Sequence, residues 1–120
     1  NGTVAGRRHR YSYDMTGAPG WFLFDGLVKH DLVTGGEERY AFGDGVFGSE
    51  TPFAPRLGAT AEDDGYLVTF TTDMGRDCSE CLVFDATDIT AGPIARVRLP
   101  ERISSGTHAC WAPASALPPV

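Results

Sequence analysis

Two similar segments 54 residues apart constrain the fold of this chain more than any other feature. Leu27–Asp31 is followed by a Thr-Gly turn at Thr34–Gly36, and Leu82–Asp85 is followed by a similar turn at Thr90–Gly92. Each copy then enters a further strand-like run: Glu38–Phe42 and Ile94–Leu99. A repeated meander with Asp at a strand end and Thr-x-Gly at the turn is typical of β-propeller blades. The alternative is a β-sandwich whose hairpins resemble each other by coincidence.

The remaining pattern indicates an all-β chain. Short runs rich in Val, Phe, Tyr and Thr recur between Gly, Asp and Pro, and few windows carry the helical period. Strands are predicted at Arg10–Asp14, Phe22–Phe24, Gly26–Asp31, Glu38–Phe42, Tyr66–Thr71, Cys81–Asp85 and Ile94–Leu99. A propeller closes with about four to eight blades, and these strands make about two. We therefore expect the chain to be part of a larger propeller.

Composition excludes some classes of partner. The 120 residues fit a single domain, and ten Lys and Arg against sixteen Asp and Glu give a net charge of −6, which disfavours nucleic acid. No run approaches the roughly eighteen apolar residues of a membrane span, and the first residues do not resemble a signal peptide. Three cysteines, an odd number, favour free thiols in a reducing compartment. The expected location is the cytoplasm.

His108 is the histidine with the most informative surroundings. It follows Gly106 after a strand-like run and has small or aromatic neighbours, which is compatible with either a metal ligand or a buried core imidazole. His9 and His30 are flanked by charged residues, and we interpret them as surface or edge histidines.

Cysteine spacing allows a different metal site. Cys78 and Cys81 have the C-x-x-C spacing of a zinc knuckle, and His108 with Cys110 could supply two further ligands. The second pair has one intervening residue and the pairs flank a strand hairpin, which is unusual geometry for zinc. A small zinc-binding β domain nevertheless stays an alternative.

Two acidic segments differ in what they predict. Glu50 lies in Ser49–Arg56, beside a rigid Pro-Phe-x-Pro segment, and a buried carboxylate there would need an Arg, a backbone donor or the N–H of a metal-bound imidazole. A solvated Glu in a proline-flanked loop is the alternative. The acidic stretch Glu62–Gly65 is predicted to be a turn with solvated charges.

Several segments, in order along nearly the whole chain, resemble the C-terminal part of the carotenoid cleavage oxygenases. This family includes the lignostilbene and apocarotenoid dioxygenases. The segments are Gly6–Tyr11, Gly26–Leu32, Ser49–Arg56, Glu62–Phe70, Leu82–Ala86, Ala95–Pro100 and Gly106–Trp111.

The resemblance implies a fold and a metal site. It implies a seven-bladed β-propeller with a non-haem Fe(II) on its axis, held by four histidines at the end of an apolar tunnel. His108 matches the last of those ligands, and Glu50 matches a glutamate that orients an iron-bound imidazole. Thr107 and Ala109 replace the family's usual Phe and Gly, which affects local packing. The other three histidines would lie outside this chain.

The resemblance also implies an activity. Members of the family use dioxygen to cleave a conjugated C=C bond of an apolar carotenoid, apocarotenoid or stilbene-type substrate into two carbonyl products. Residues 1–120 would then be the C-terminal part of a single propeller domain, inactive alone because it holds one iron ligand. Peripheral membrane contact by the parent enzyme stays open. A non-catalytic propeller scaffold with His108 in its core is the alternative.

Overall fold

A computed structural model describes residues 2–17, 19–20, 22–104, 106 and 108–118. The described chain has eight β-strands and three 3-10 turns, which confirms the all-β prediction. The strands are Tyr11–Gly17 (β1), Phe24–Asp31 (β2), Gly36–Ala41 (β3), Val46–Gly48 (β4), Phe53–Pro55 (β5), Gly65–Asp73 (β6), Cys78–Asp85 (β7) and Pro93–Arg98 (β8). The 3-10 turns are Gly2–Val4, Ile89–Ala91 and Ala114–Ala116. Within these described ranges no helix has the length and apolar character to cross a membrane.

The strands form two antiparallel units. We call β1–β3 blade 1 and β4–β8 blade 2. In blade 1, β2 pairs with β1 and with β3. In blade 2, β6 pairs with β4, β5 and β7, and β7 also pairs with β8. A bridge between Phe24 and Gly48 joins the two blades. The strands β1 and β2 precede β6 and β7 by 54 residues, so the sequence repeat is a structural repeat.

Aspartates at strand ends explain the repeated motif. The carboxylate of Asp31 accepts the N–H groups of Val33 and Thr34, and that of Asp85 accepts the N–H of Thr87. Such contacts satisfy turn amides locally and stop the strand.

The core lies between the blades. Leu27 of blade 1 belongs to one buried cluster with Leu67, Leu82 and Phe84 of blade 2. Tyr13, Met15, Tyr40 and Phe42 of blade 1 pack against this cluster from one side. Two repeated antiparallel units that share one apolar core are typical of neighbouring propeller blades.

The acidic turn before β6 is not solvated as predicted. The Asp63 carboxylate lies 2.9 Å from the buried ammonium of Lys29, and the Glu62 carboxylate accepts the backbone N–H groups of Arg10 and Tyr11. These bonds connect blade 2 to blade 1. Because their partners are 34 to 52 residues away along the chain, the local sequence gave no sign of them.

Strand boundaries differ from the predictions mainly at short elements. A separate strand at Phe22–Phe24 is wrong, because Phe24 opens β2 and Phe22 precedes it. The three-residue strands β4 and β5 were missed. They are two halves of one strand beside β6, interrupted at residues 49–52 by a segment that contains Glu50.

Candidate metal centre

Glu50 and His108 are in contact although they are far apart in the sequence. Glu50 lies between β4 and β5, and His108 follows β8. The Nδ1 atom of His108 lies 3.2 Å from Oε1 of Glu50, and the backbone N–H of Ala109 donates to Oε2 at 2.7 Å. One carboxylate therefore holds both the imidazole and the backbone beside it. The predicted need of Glu50 for a histidine N–H or a backbone donor is met by both.

His108 lies at the surface of the described chain, where its side chain is 91% exposed. The described residues therefore do not enclose the imidazole in a core. When Glu50 accepts the proton of Nδ1, Nε2 carries the lone pair and points away from that contact. Within the described residues no hydrogen bond is made by Nε2. This tautomer is the one in which Nε2 can bind a metal ion.

The surroundings of Glu50 favour its ionised form. The backbone N–H of Ala109, followed by the imidazole of His108, lowers the pKa of Glu50 below its ordinary value. A carboxylate is thus available to orient the ring across the neutral pH range.

Glu50 lies in an interruption of the strand next to β6. Residues 49–52 are four residues that lie opposite three, 68–70, which is the arrangement of a β-bulge. A bulge redirects side chains out of the regular alternation. Pro52 is tolerated here because a bulge leaves one backbone position without a ladder hydrogen bond to donate.

A cavity of about 240 Å³ opens beside the pair. Glu50, Thr51 and Ala109 form one part of its lining, and apolar side chains from the interblade core form another. Those apolar residues are Tyr13, Met15, Leu27 and Leu67.

The zinc alternative is not favoured. No group of three or more metal-binding side chains occurs in the part of the chain that the structure describes, which includes Cys78, Cys81, His108 and Cys110. Cys78 and Cys81 lie three residues apart on β7, and since side chains alternate along a strand, they point to opposite faces. Burial also raises the pKa of Cys81, which favours the thiol over the metal-binding thiolate.

The other two histidines lie away from this pair. His9 is exposed and contacts the backbone oxygen of Arg7. His30 lies on β2 between Glu37, 3.1 Å from Nδ1, and Asp14, 3.5 Å from Nε2. Both of its ring nitrogens therefore face carboxylates, unlike those of His108.

Sequence reasoning missed the backbone contribution to the site. The N–H of Ala109 binds Glu50 more closely than the imidazole does, and nothing in the identity of an alanine predicts this. Thr107, the other departure from the family pattern, lies outside the described residues.

Comparisons with known proteins show the family to which this chain belongs. The family model described as RPE65, retinal pigment epithelial membrane protein, matches residues 1–113. Lignostilbene-α,β-dioxygenase isozyme III of Sphingomonas paucimobilis is 36% identical over 97 residues, covering 81% of this chain. A carotenoid cleavage oxygenase of Mycobacterium tuberculosis is 36% identical over 120 residues, covering 94% of the chain.

Structural similarity extends over the same region. The crystal structure of Pseudomonas brassicacearum lignostilbene dioxygenase superposes with a TM-score of 0.86 at 31% identity, covering 93% of this chain and 26% of that one. The two sequence relatives are covered over 20% and 23% of their length. The chain thus spans about a quarter or less of the proteins it matches, as part of a β-propeller. The match over residues 1–113 confirms the resemblance, and the chain belongs to the RPE65/carotenoid oxygenase family.

Proposed function

We propose that this chain contributes one ligand, His108, to the iron of a non-haem Fe(II) dioxygenase that cleaves a conjugated C=C bond. The observation that carries the proposal is the pairing of His108 Nδ1 and Ala109 N–H with a single carboxylate, Glu50. This contact fixes an exposed imidazole in the tautomer that leaves Nε2 available. Neutral imidazole donors suit Fe(II), so the donor chemistry fits the group that the family implies.

The residues of this chain have a positioning task. Glu50 accepts the Nδ1 proton of His108 and so sets the direction of the ring, and its negative charge strengthens the imidazole as a donor. The bond from Ala109 restrains the backbone next to the ring. Iron, when bound, supplies the redox chemistry with dioxygen that protein side chains lack. Neither Glu50 nor His108 has to transfer a proton to the substrate.

The substrate class follows from the names of the relatives and from the chemistry. We infer an apolar polyene or stilbene as substrate, with dioxygen as co-substrate. Both oxygen atoms and the two alkene carbons would end as two carbonyl groups, which balances without a further reductant. We also infer a cytoplasmic location for the parent protein, because an odd number of cysteines in the sequence favours free thiols in a reducing compartment.

The test is made in the full-length protein, with His30→Ala as the matched control for His108→Ala. Both variants remove an imidazole that lies 3.1 to 3.2 Å from a glutamate, but His30 sits between two carboxylates on blade 1. We expect His108→Ala to abolish stoichiometric iron binding and oxygen-dependent cleavage of a stilbene or apocarotenoid. His30→Ala should retain both. Unchanged iron content and turnover in His108→Ala would refute the proposal.

A further inference from the structure

The bulge that carries Glu50 is held by side-chain hydroxyls. Ser49 N–H donates to the carbonyl oxygen of Phe70 at 2.9 Å, as in a regular ladder. The return bond is not made to a backbone carbonyl, because Phe70 N–H donates to the Ser49 Oγ at 3.2 Å. Regular pairing resumes where Val68 N–H donates to the Pro52 oxygen at 3.2 Å. The Ser49 side chain therefore replaces a backbone acceptor at the point where the strand breaks.

Hydroxyl groups also bind the backbone carbonyl oxygens of the bulge that have no backbone partner on β6. Thr69 Oγ1 donates to the Ser49 oxygen at 3.1 Å, and Thr51 Oγ1 reaches the same oxygen at 3.3 Å. Ser49 Oγ donates in turn to the backbone oxygen of Glu50 at 3.1 Å. The peptide groups on both sides of the Glu50 α-carbon are thus fixed by this network.

Thr69 is the buried threonine of this network, and its hydroxyl has no exposure to solvent. Its side chain is 0% exposed, so no solvent water takes over its bond to Ser49. It lies on β6, the strand against which the bulge is built, whereas Ser49 and Thr51 belong to the bulge itself. The neighbouring strand therefore contributes one buried hydroxyl that holds the bulge.

We propose that Thr69 and Ser49 are positioning residues for the His108 ligand, acting through Glu50. This inference rests on the proposed function only where it predicts a change in iron affinity. Loss of the Thr69 hydroxyl leaves the Ser49 carbonyl with one donor, and the bulge relaxes towards regular pairing. Because the Glu50 carboxylate holds both the His108 ring and the Ala109 amide, a shift of this bulge loosens both contacts together.

The experiment compares three variants of the full-length protein. Thr69→Val removes the hydroxyl and keeps the shape, and Thr69→Ser keeps the hydroxyl and removes a methyl group. Thr71→Val is the matched control: Thr71 lies on the same face of β6, is 2% exposed, and donates to Glu80 rather than to the bulge. The measurements are iron affinity in competition with a chelator, amide exchange of Ala109 in the iron-free protein, and melting temperature.

We expect Thr69→Val to weaken iron binding about tenfold, which is typical of the loss of a group that orients a metal ligand. The exchange rate of the Ala109 amide should rise by about tenfold as well. Thr69→Ser should restore both values, and Thr71→Val should lower the melting temperature without changing either. Ser49→Ala breaks the same network from the other strand and should match Thr69→Val, so the test does not depend on one variant folding.

Two results would overturn the inference. One is an equal loss of iron affinity in Thr69→Val and Thr71→Val, which would show that lower overall stability weakens iron binding and that Thr69 has no specific role. The other is unchanged exchange of Ala109 in both Thr69→Val and Ser49→Ala. Glu50→Gln separates the inference from the proposed function. If Glu50→Gln leaves the iron affinity unchanged, the proposed role of Glu50 and His108 in iron binding is wrong. The exchange rate of the Ala109 amide still decides whether Thr69 positions Glu50.

Discussion

Tyr13 shows how one side chain connects the two blades. Its ring stacks on that of Phe53 with centroids 5.8 Å apart, and its hydroxyl donates to the Ala86 oxygen at 3.2 Å. Burial raises the pKa of Tyr13 far above its ordinary value, and the negative charge of Asp63 acts in the same direction. The folded chain therefore keeps this phenol protonated under conditions in which the unfolded chain loses the proton.

This difference predicts an effect on stability at alkaline pH. An unfolded tyrosine ionises near pH 10, whereas Tyr13 in the folded chain stays neutral. Above about pH 10 the unfolded state binds fewer protons than the folded state, so the free energy of unfolding falls as the pH rises. Tyr13→Phe should be less stable at pH 7 but should lose less stability between pH 9 and pH 11. Chemical denaturation across that range checks this, and equal slopes in both proteins would contradict it.

At the scale of elements, the sequence predicted strands that carry continuous or alternating apolar residues. β6 and β7 were found because Leu67, Leu82 and Phe84 mark a buried face. β4 and β5 were missed because three-residue strands carry too little pattern, and the Ser-Glu-Thr-Pro bulge between them resembles a loop. Their pairing depends on β6, which the sequence places 10 or more residues later.

The contact between β2 and the turn before β6 yields a second prediction. The ammonium of Lys29 is buried, 2.9 Å from Asp63, 3.1 Å from the Thr87 oxygen and 4.5 Å from the centre of the Tyr11 ring. Asp63→Ala leaves this charge without its counter-ion and should lower the free energy of unfolding by about 3 kcal/mol.

Removing both charges offers the control for that variant. The double substitution Lys29→Met with Asp63→Ala should be more stable than Asp63→Ala alone, because no uncompensated charge then stays buried. Denaturant titration of the two proteins measures the difference. A double variant that is no more stable than Asp63→Ala would show that Asp63 does not compensate the buried charge of Lys29.

Across the whole molecule, blade 2 buries one face and exposes the other. Phe70, Cys81 and Val97 lie directly opposite one another on three adjacent strands, on the face that points away from blade 1. Phe70 is 40% and Val97 55% exposed. Adjacent apolar side chains of this kind mark a surface that packs against another element. We expect a further propeller blade to cover it in the parent protein.

Charge substitutions test this expectation. Val97→Lys should destabilise the full-length protein by about 2 kcal/mol, measured by chemical denaturation. Leu57→Lys is the control, since Leu57 is fully exposed in the loop after β5. A full-length protein that tolerates Val97→Lys as well as Leu57→Lys would show that no blade covers this face.

The candidate site could be predicted only in part. Glu50 and His108 are 58 residues apart, and their neighbours alone left a solvated glutamate and a core histidine as alternatives. Resemblance to the family selected the pair, and the structure brings the two side chains into contact. Neither source indicated the bond from Ala109 or the hydroxyls of Ser49 and Thr69, because these depend on backbone geometry at a bulge.

We propose that His108 binds iron through Nε2 while Glu50 holds Nδ1. Anomalous diffraction at the iron absorption edge, from crystals of the full-length protein, locates the iron relative to both nitrogens. We expect one iron peak within bonding distance of His108 Nε2, with Glu50 still on Nδ1. An iron peak away from His108, or on its Nδ1 with Glu50 displaced, would show that this assignment of the ligand is wrong.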